Sequence, residues 1–201
     1  MRILLGIVLM IIATVRVEAQ SWTSQSMHQG AMDYELFAGG GTGLYQASQL
    51  YRTADIRFLV LGGRIGRILT GEHLHSWMRG NFEYAGEISP LSYVFQPGKD
   101  VYGGSFTPVI LKWNFTANHK IVPYLLLSGG GLVTTGNVPP GVTSNFNFMA
   151  GGSGGVHVFL RPKRALTLET HWIHISNSEL GRNNPNLPAN FLFTVGYTWF
   201  K

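Results

Sequence analysis

Residues 109–115 limit what this chain can become. Val109, Leu111, Trp113 and Phe115 take every second position, with Lys112 and Asn114 between them. Side chains two apart share one face of a strand, so the segment has an apolar and a polar face. The pattern recurs: Phe82, Tyr84 and Ile88 oppose Asn81, Glu83 and Glu87. Phe191, Phe193, Val195, Tyr197 and Trp199 share a face near the end. Ile56, Phe58 and Val60 oppose Asp55 and Arg57, with Leu59 and Leu61 interrupting the polar face. Helical periodicity is nearly lacking. A sustained period of two predicts half-buried strands. They are expected at roughly 32–40, 54–68, 79–94, 102–116, 120–134, 144–160, 164–176 and 190–200. That makes about eight, an even number, as a closed outer-membrane barrel requires.

The period does not say whether the apolar face points in or out. Composition argues for out. Charged residues are 12%, aromatics are 12%, and there are 26 Gly. A soluble domain carries about 25% charged residues. The polar faces hold Glu35, Arg57, Glu83, Glu87, Lys112, Glu169 and His171, which can satisfy one another in a polar lumen. Large aromatics recur near strand ends, as in interfacial girdles. The fold class is therefore all-β: an eight-stranded antiparallel transmembrane β-barrel.

The start of the chain is read separately. Arg2 precedes a short apolar run from Ile3 to Val15, and Val17-Glu18-Ala19 offers small residues before Gln20. This is the pattern of a secretory signal peptide. The run is shorter than the ~20 residues of a spanning helix. The division is a signal peptide over 1–19 and one barrel domain over 20–201. Without Cys, an exported domain must rely on its core or on barrel closure. Net charge is +5 with no basic run, which argues against nucleic acid.

The runs Gly39-Gly40-Gly41, Gly129-Gly130-Gly131 and Gly151-Gly152-Ser153-Gly154-Gly155 precede no amphipathic helix, so a phosphate loop fails on context. Gly inside strands marks bends, bulges or close backbone approach. Links after even-numbered strands are short, except the one around Gly71 to Gly80 with Trp77 and Met78. Short turns face the periplasm in outer-membrane barrels. This places the link after the seventh strand outside.

That link follows His174-Ile175-Ser176-Asn177. His174 and Ser176 share the face of Leu166, Leu168, Thr170 and Trp172, so they face lipid at the outer end of the seventh strand. A base beside a hydroxyl is the beginning of a nucleophile–base pair. Taken alone, a His and a Ser at a rim are more often interfacial polar residues. Glu169 and His171 fall on the other face and read as lumen packing. His73 and His75, beside Glu72, lack the further ligands of a metal site. No metal or cofactor is expected.

The His174-Ile175-Ser176-Asn177 tetrad, the loop with Asn184-Pro185 and the closing Gly196-Tyr197-Thr198-Trp199-Phe200 resemble the lipid A 3-O-deacylases of Gram-negative outer membranes. Arg79-Gly80-Asn81-Phe82-Glu83-Tyr84, with Glu87 and Pro90, resembles a broader acyloxyacyl hydrolase-like group. The resemblance implies an outer-membrane serine esterase acting on lipid A of the lipopolysaccharide leaflet. It implies Ser176 as nucleophile, His174 as general base and Asn177 as an oxyanion-hole contributor. The family's acid lies at the start of the last strand. Here that region reads Asn186-Leu187-Pro188-Ala189-Asn190, without a carboxylate. Asn190 and loop Glu179 are the candidates for the third member. A non-catalytic structural or adhesive barrel, and a soluble exported barrel holding a hydrophobic ligand, remain the alternatives. A monomer and a homodimer are equally compatible with the sequence.

Overall fold

In the computed structural model the described residues are 22–43, 55–118, 120–180, 183–184 and 187–201. The expected signal peptide lies outside them. The strands are β1 (Met32–Gly43), β2 (Arg57–Ile68), β3 (Gly80–Phe95), β4 (Val101–Phe115), β5 (Ile121–Thr134), β6 (Phe146–Arg161), β7 (Arg164–Ser176) and β8 (Leu187–Phe200). Each pairs antiparallel with its sequence neighbour, and β1 pairs with β8, closing the barrel. Closure removes the free edges that a sheet would otherwise expose. Among the described residues no helix is long and apolar enough to cross a membrane.

The distribution of side chains is inverted relative to a soluble protein. Leu111, Leu125, Leu127, Phe193 and Val195 lie on the outer wall at 40–67% exposure. Lys112, Glu83, Asp33, Glu169 and Arg64 are buried inside. Arg64 reaches Glu169 at 2.7 Å, Glu87 at 2.8 Å and Glu35 at 3.7 Å. Glu169 also accepts from Tyr124 Oη and lies 3.2 Å from His171 Nε2. A second group pairs Lys112 with Glu83 at 2.7 Å and Asp33 at 3.9 Å. Taking charges out of water costs several kcal/mol each, so they persist inside only as mutually paired sets.

Apolar plugs close this polar middle at both ends. At the end holding the tight Pro162-Lys163 turn, a helical turn at 22–26 brings Trp22 and Met27 against Ile68, Val122, Phe159 and Phe200. This stretch is mostly polar in sequence, yet its apolar positions Trp22, Met27 and Ala31 cap the lumen. At the opposite end, the loop end, Ile56, Val94, Val101, Leu132, Ile175 and Leu187 pack together.

That second plug corrects the reading of β2. Phe58 and Val60 line the interior cavity, while Leu59 and Leu61 point outward at 49% and 50% exposure. Arg57 lies exposed at the rim, outside the charge network. The apolar residues on both faces of this stretch follow from a lumen that turns apolar at the loop end. β1 also runs past its expected end at position 40. Gly39 and Gly41 let it lie close to β8, since a Cβ at either would collide with the β8 backbone at Phe193 and Phe191.

Candidate active site

β7 alternates strictly until its end. Ala165, Thr167, Glu169 and His171 point inward and are buried. Leu166, Leu168, Thr170 and Trp172 point outward, and His174 and Ser176 continue that face, both half-buried. Ile175 between them enters the loop-end plug. The strand thus fixes His174 and Ser176 on the same outer wall, one row apart. In register, His174 lies opposite Ala150 of β6, and Ser176 opposite Phe148.

Below His174 the wall is hollow. Ala150, Gly152 and Gly154 form the floor of a groove of about 900 Å³. Leu125 and Leu127 of β5 make one bank; Thr170, Trp172 and His174 of β7 make the other. The glycines of β6 divide by parity. Inward-facing Gly151 and Gly155 are required by packing, since a Cβ would overlap Trp172 O and the Tyr124 ring respectively. A Cβ on outward-facing Gly152 would meet Leu127 Cδ2 at 3.5 Å, and on Gly154 Leu125 Cδ2 at 3.6 Å. Those are ordinary contacts, so the fold itself does not demand Gly there. What a side chain would remove is the open space. The close approach expected of strand glycines holds for Gly151 and Gly155, while the open space over Gly152 and Gly154 was not foreseen; alternation with Ala150, opposite His174, is the signal that separates the two sets.

The loop after Ser176 is built on Asn177. Its Oδ1 accepts from Glu179 N at 3.0 Å, and its Nδ2 donates to Asn183 O at 2.8 Å. Asn177 N donates to Asn184 Oδ1 at 3.3 Å, and Leu180 N to Asn177 O at 3.0 Å. Asn177 is 1% exposed and pins the chain directly behind the Ser176 position. Ser178 and Glu179 take φ of 47° and 64°, in the left-handed region. Glu179 is exposed on the loop.

Asn190 lies on the other side of the wall. It lines the interior cavity, and its Nδ2 donates to Ile173 O at 2.9 Å and Leu187 O at 3.1 Å. It spans the register shift between Ile173 and Ile175, where β7 and β8 part. The structure thus brings His174 and Ser176 together on the lipid face and Asn177 directly behind them, while Asn190 faces the lumen. The loop positions 181, 182, 185 and 186, including Asn186, lie outside the described residues. His73 and His75 are exposed in the β2–β3 connection.

Residues 27–198 match the family described as lipid A 3-O-deacylase (PagL). The chain belongs to the lipid A 3-O-deacylase (PagL) family. With its closed barrel and outward apolar wall, it is a protein of the outer membrane. A comparison with curated proteins gave no match. Among solved structures, the outer membrane enzyme PagL is similar at 16% identity, over 83% of this chain and 98% of that one, with a TM-score of 0.49. The N-terminal β-barrel domain of Pseudomonas aeruginosa OprF is similar at 16% identity, over 86% and 98%, with a TM-score of 0.45. Pseudomonas aeruginosa OprG is similar at 11% identity, over 88% and 98%, with a TM-score of 0.49. For this member of the deacylase family, the fold rests on its own strand pairing.

Proposed function

We propose that this protein is an outer-membrane esterase that hydrolyses an ester-linked acyl chain of lipid A. One observation carries the reading: on the lipid face His174 lines a groove whose glycine floor the fold does not require, and Ser176 is the next residue on that face. Polar side chains facing hydrocarbon are costly unless they are paired or near the interface. A nucleophile for a lipid ester has to stand there.

The chemistry follows from the side chains. His174 takes the Ser176 hydroxyl proton as Ser176 Oγ attacks the ester carbonyl. Amide donors of the loop stabilise the oxyanion, with Asn177 as the candidate. His174 returns the proton to the sugar oxygen as the acyl-enzyme forms. A water, deprotonated by His174, then releases the fatty acid. The groove below His174 holds the acyl chain, with Trp172 and Leu127 along its sides. No metal is needed for these steps.

Expression in a Gram-negative host should yield lipid A lighter by one hydroxyacyl group, read by mass spectrometry. Ser176→Ala should abolish the shift while the barrel still assembles. An unchanged lipid A spectrum with folded protein in the outer membrane would sink the enzyme reading. It would favour a non-catalytic barrel, for which the sequence offers one observation, the lack of a carboxylate from Asn186 to Asn190.

A further inference from the structure

The end of the barrel away from His174 carries a feature that ester hydrolysis does not use. Among the described residues, its rim bears Arg67, Lys120, Arg161, Lys163, Arg164 and Lys201, all exposed or half-exposed. Arg79 adds a further cation, 3.6 Å from Glu72, the exposed carboxylate described at this rim. At the loop end the described charges are balanced differently, with Arg57 and Lys99 against Asp55, Asp100 and Glu179. Among the described residues, the cations are therefore more numerous at one end of the barrel than at the other.

The same rim carries an apolar finger. The 69–79 connection lifts Leu74, Trp77 and Met78 to 52%, 72% and 43% exposure. Its base is fixed by paired backbone bonds, His73 N to Gly80 O at 2.7 Å and Gly80 N to His73 O at 3.0 Å. Leu74 and Ser76 take positive φ of 64° and 57°, which non-glycine residues rarely adopt. The finger is thus shaped by its backbone to stand clear of the barrel. Outward aromatics on the wall beside this rim include Tyr34, Tyr84, Trp113, Tyr197 and Trp199. Two rim cations rest on rings: Lys120 Nζ lies 4.9 Å from the Trp22 ring and Lys201 Nζ 5.3 Å from the Tyr34 ring.

Trp and Tyr concentrate at headgroup level, and Lys and Arg draw anionic headgroups to the surface. An exposed Trp in a cationic rim, continuous with a lipid-facing wall, fits both preferences. We propose that this rim is a docking surface for anionic glycerophospholipid. The phosphates sit among Arg161, Lys163 and Arg164, with Lys120 and Arg67 flanking. Trp77 and Met78 enter the interface beside them. The choice of phospholipid over the phosphates of lipid A rests on the reading that lipid A meets the opposite end, at His174 and Ser176.

The test uses the full chain, refolded in neutral detergent, with native mass spectrometry counting retained lipid. Phosphatidylglycerol and phosphatidylcholine of matched acyl chains are the probes. Retention of phosphatidylglycerol should exceed that of phosphatidylcholine by about tenfold or more. The preference should fade as salt shortens the screening length. Arg161→Glu with Lys163→Glu and Arg164→Glu should remove it, and Trp77→Ala should weaken retention of both lipids. Arg67→Gln with Lys120→Gln provides a milder variant should the triple change fail to fold. Equal retention of the two lipids, or a preference that survives in folded variants, overturns the proposal. So does lipid A displacing phosphatidylglycerol from this rim. Deacylation plays no part in the readout, so a chain inactive on lipid A still tests the surface.

Discussion

Ile175 separates His174 from Ser176 in sequence and stands on the other side of the wall from both. A single strand can therefore serve two solvents, with the reactive pair toward lipid and its neighbours toward the lumen. The same division assigns the buried charges to stability. Arg64 holds Glu169, Glu87 and Glu35. Arg64→Met would leave these carboxylates without their cation, and removing one partner of a buried pair costs roughly 3–5 kcal/mol. Urea unfolding of the refolded barrel should show a loss of that order. Asn190 allows a sharper test of what stands behind His174. Asn190→Ala removes its amide bonds to the carbonyls of Ile173 and Leu187, at a cost of about 1–3 kcal/mol. As a lumen-facing brace, Asn190 should lower stability without changing turnover per folded molecule. A turnover loss of a hundredfold at unchanged stability would instead make it the orienting group.

At the scale of elements, β6 matters most. Its inward glycines let the Tyr124 ring and the β7 backbone approach, and its outward glycines leave the groove open. From Ala150 to Gly154 the floor runs roughly 13 Å at about 3.3 Å per residue, comparable to an acyl chain of about ten carbons. The next outward position is Val156, opposite Leu168 of β7 and Pro123 of β5. Gly152→Leu should fill the groove and cut deacylation at least tenfold with assembly intact. Val156→Gly should lengthen it and shift cleavage toward longer chains. Mass spectrometry of the fatty acids released from a mixed lipid A pool reads both. An unaltered chain-length profile in both variants would detach the groove from the reaction.

For the whole molecule, the outward apolar wall and the paired polar interior require each other. Closure satisfies every strand edge, which lets the wall face hydrocarbon without unpaired backbone groups. The protein should fractionate with outer membranes, resist extraction by high salt and need detergent for release. Its unboiled form should migrate apart from the boiled form on a denaturing gel. Recovery from the periplasm without detergent would contradict a membrane-spanning barrel.

Strand number, strand positions and the lipid-facing side of β4, β7 and β8 were legible in the sequence, because a period of two is a local property of the chain. His174 and Ser176 were legible for the same reason, as neighbours on one face of one strand. The facing of β2 was not, since Phe58 and Leu59 are both apolar and only the loop-end plug selects between them. Nor was the groove, whose banks come from β5 and β7 and whose floor comes from β6. The placement of Asn190 in the lumen agrees with its alternation with Phe191, but its bonds to Ile173 and Leu187 depend on where β7 and β8 separate. The sequence by itself determined which side chains alternate. Only closure of the sheet decided what each face would meet, because the partners of a strand face belong to other strands.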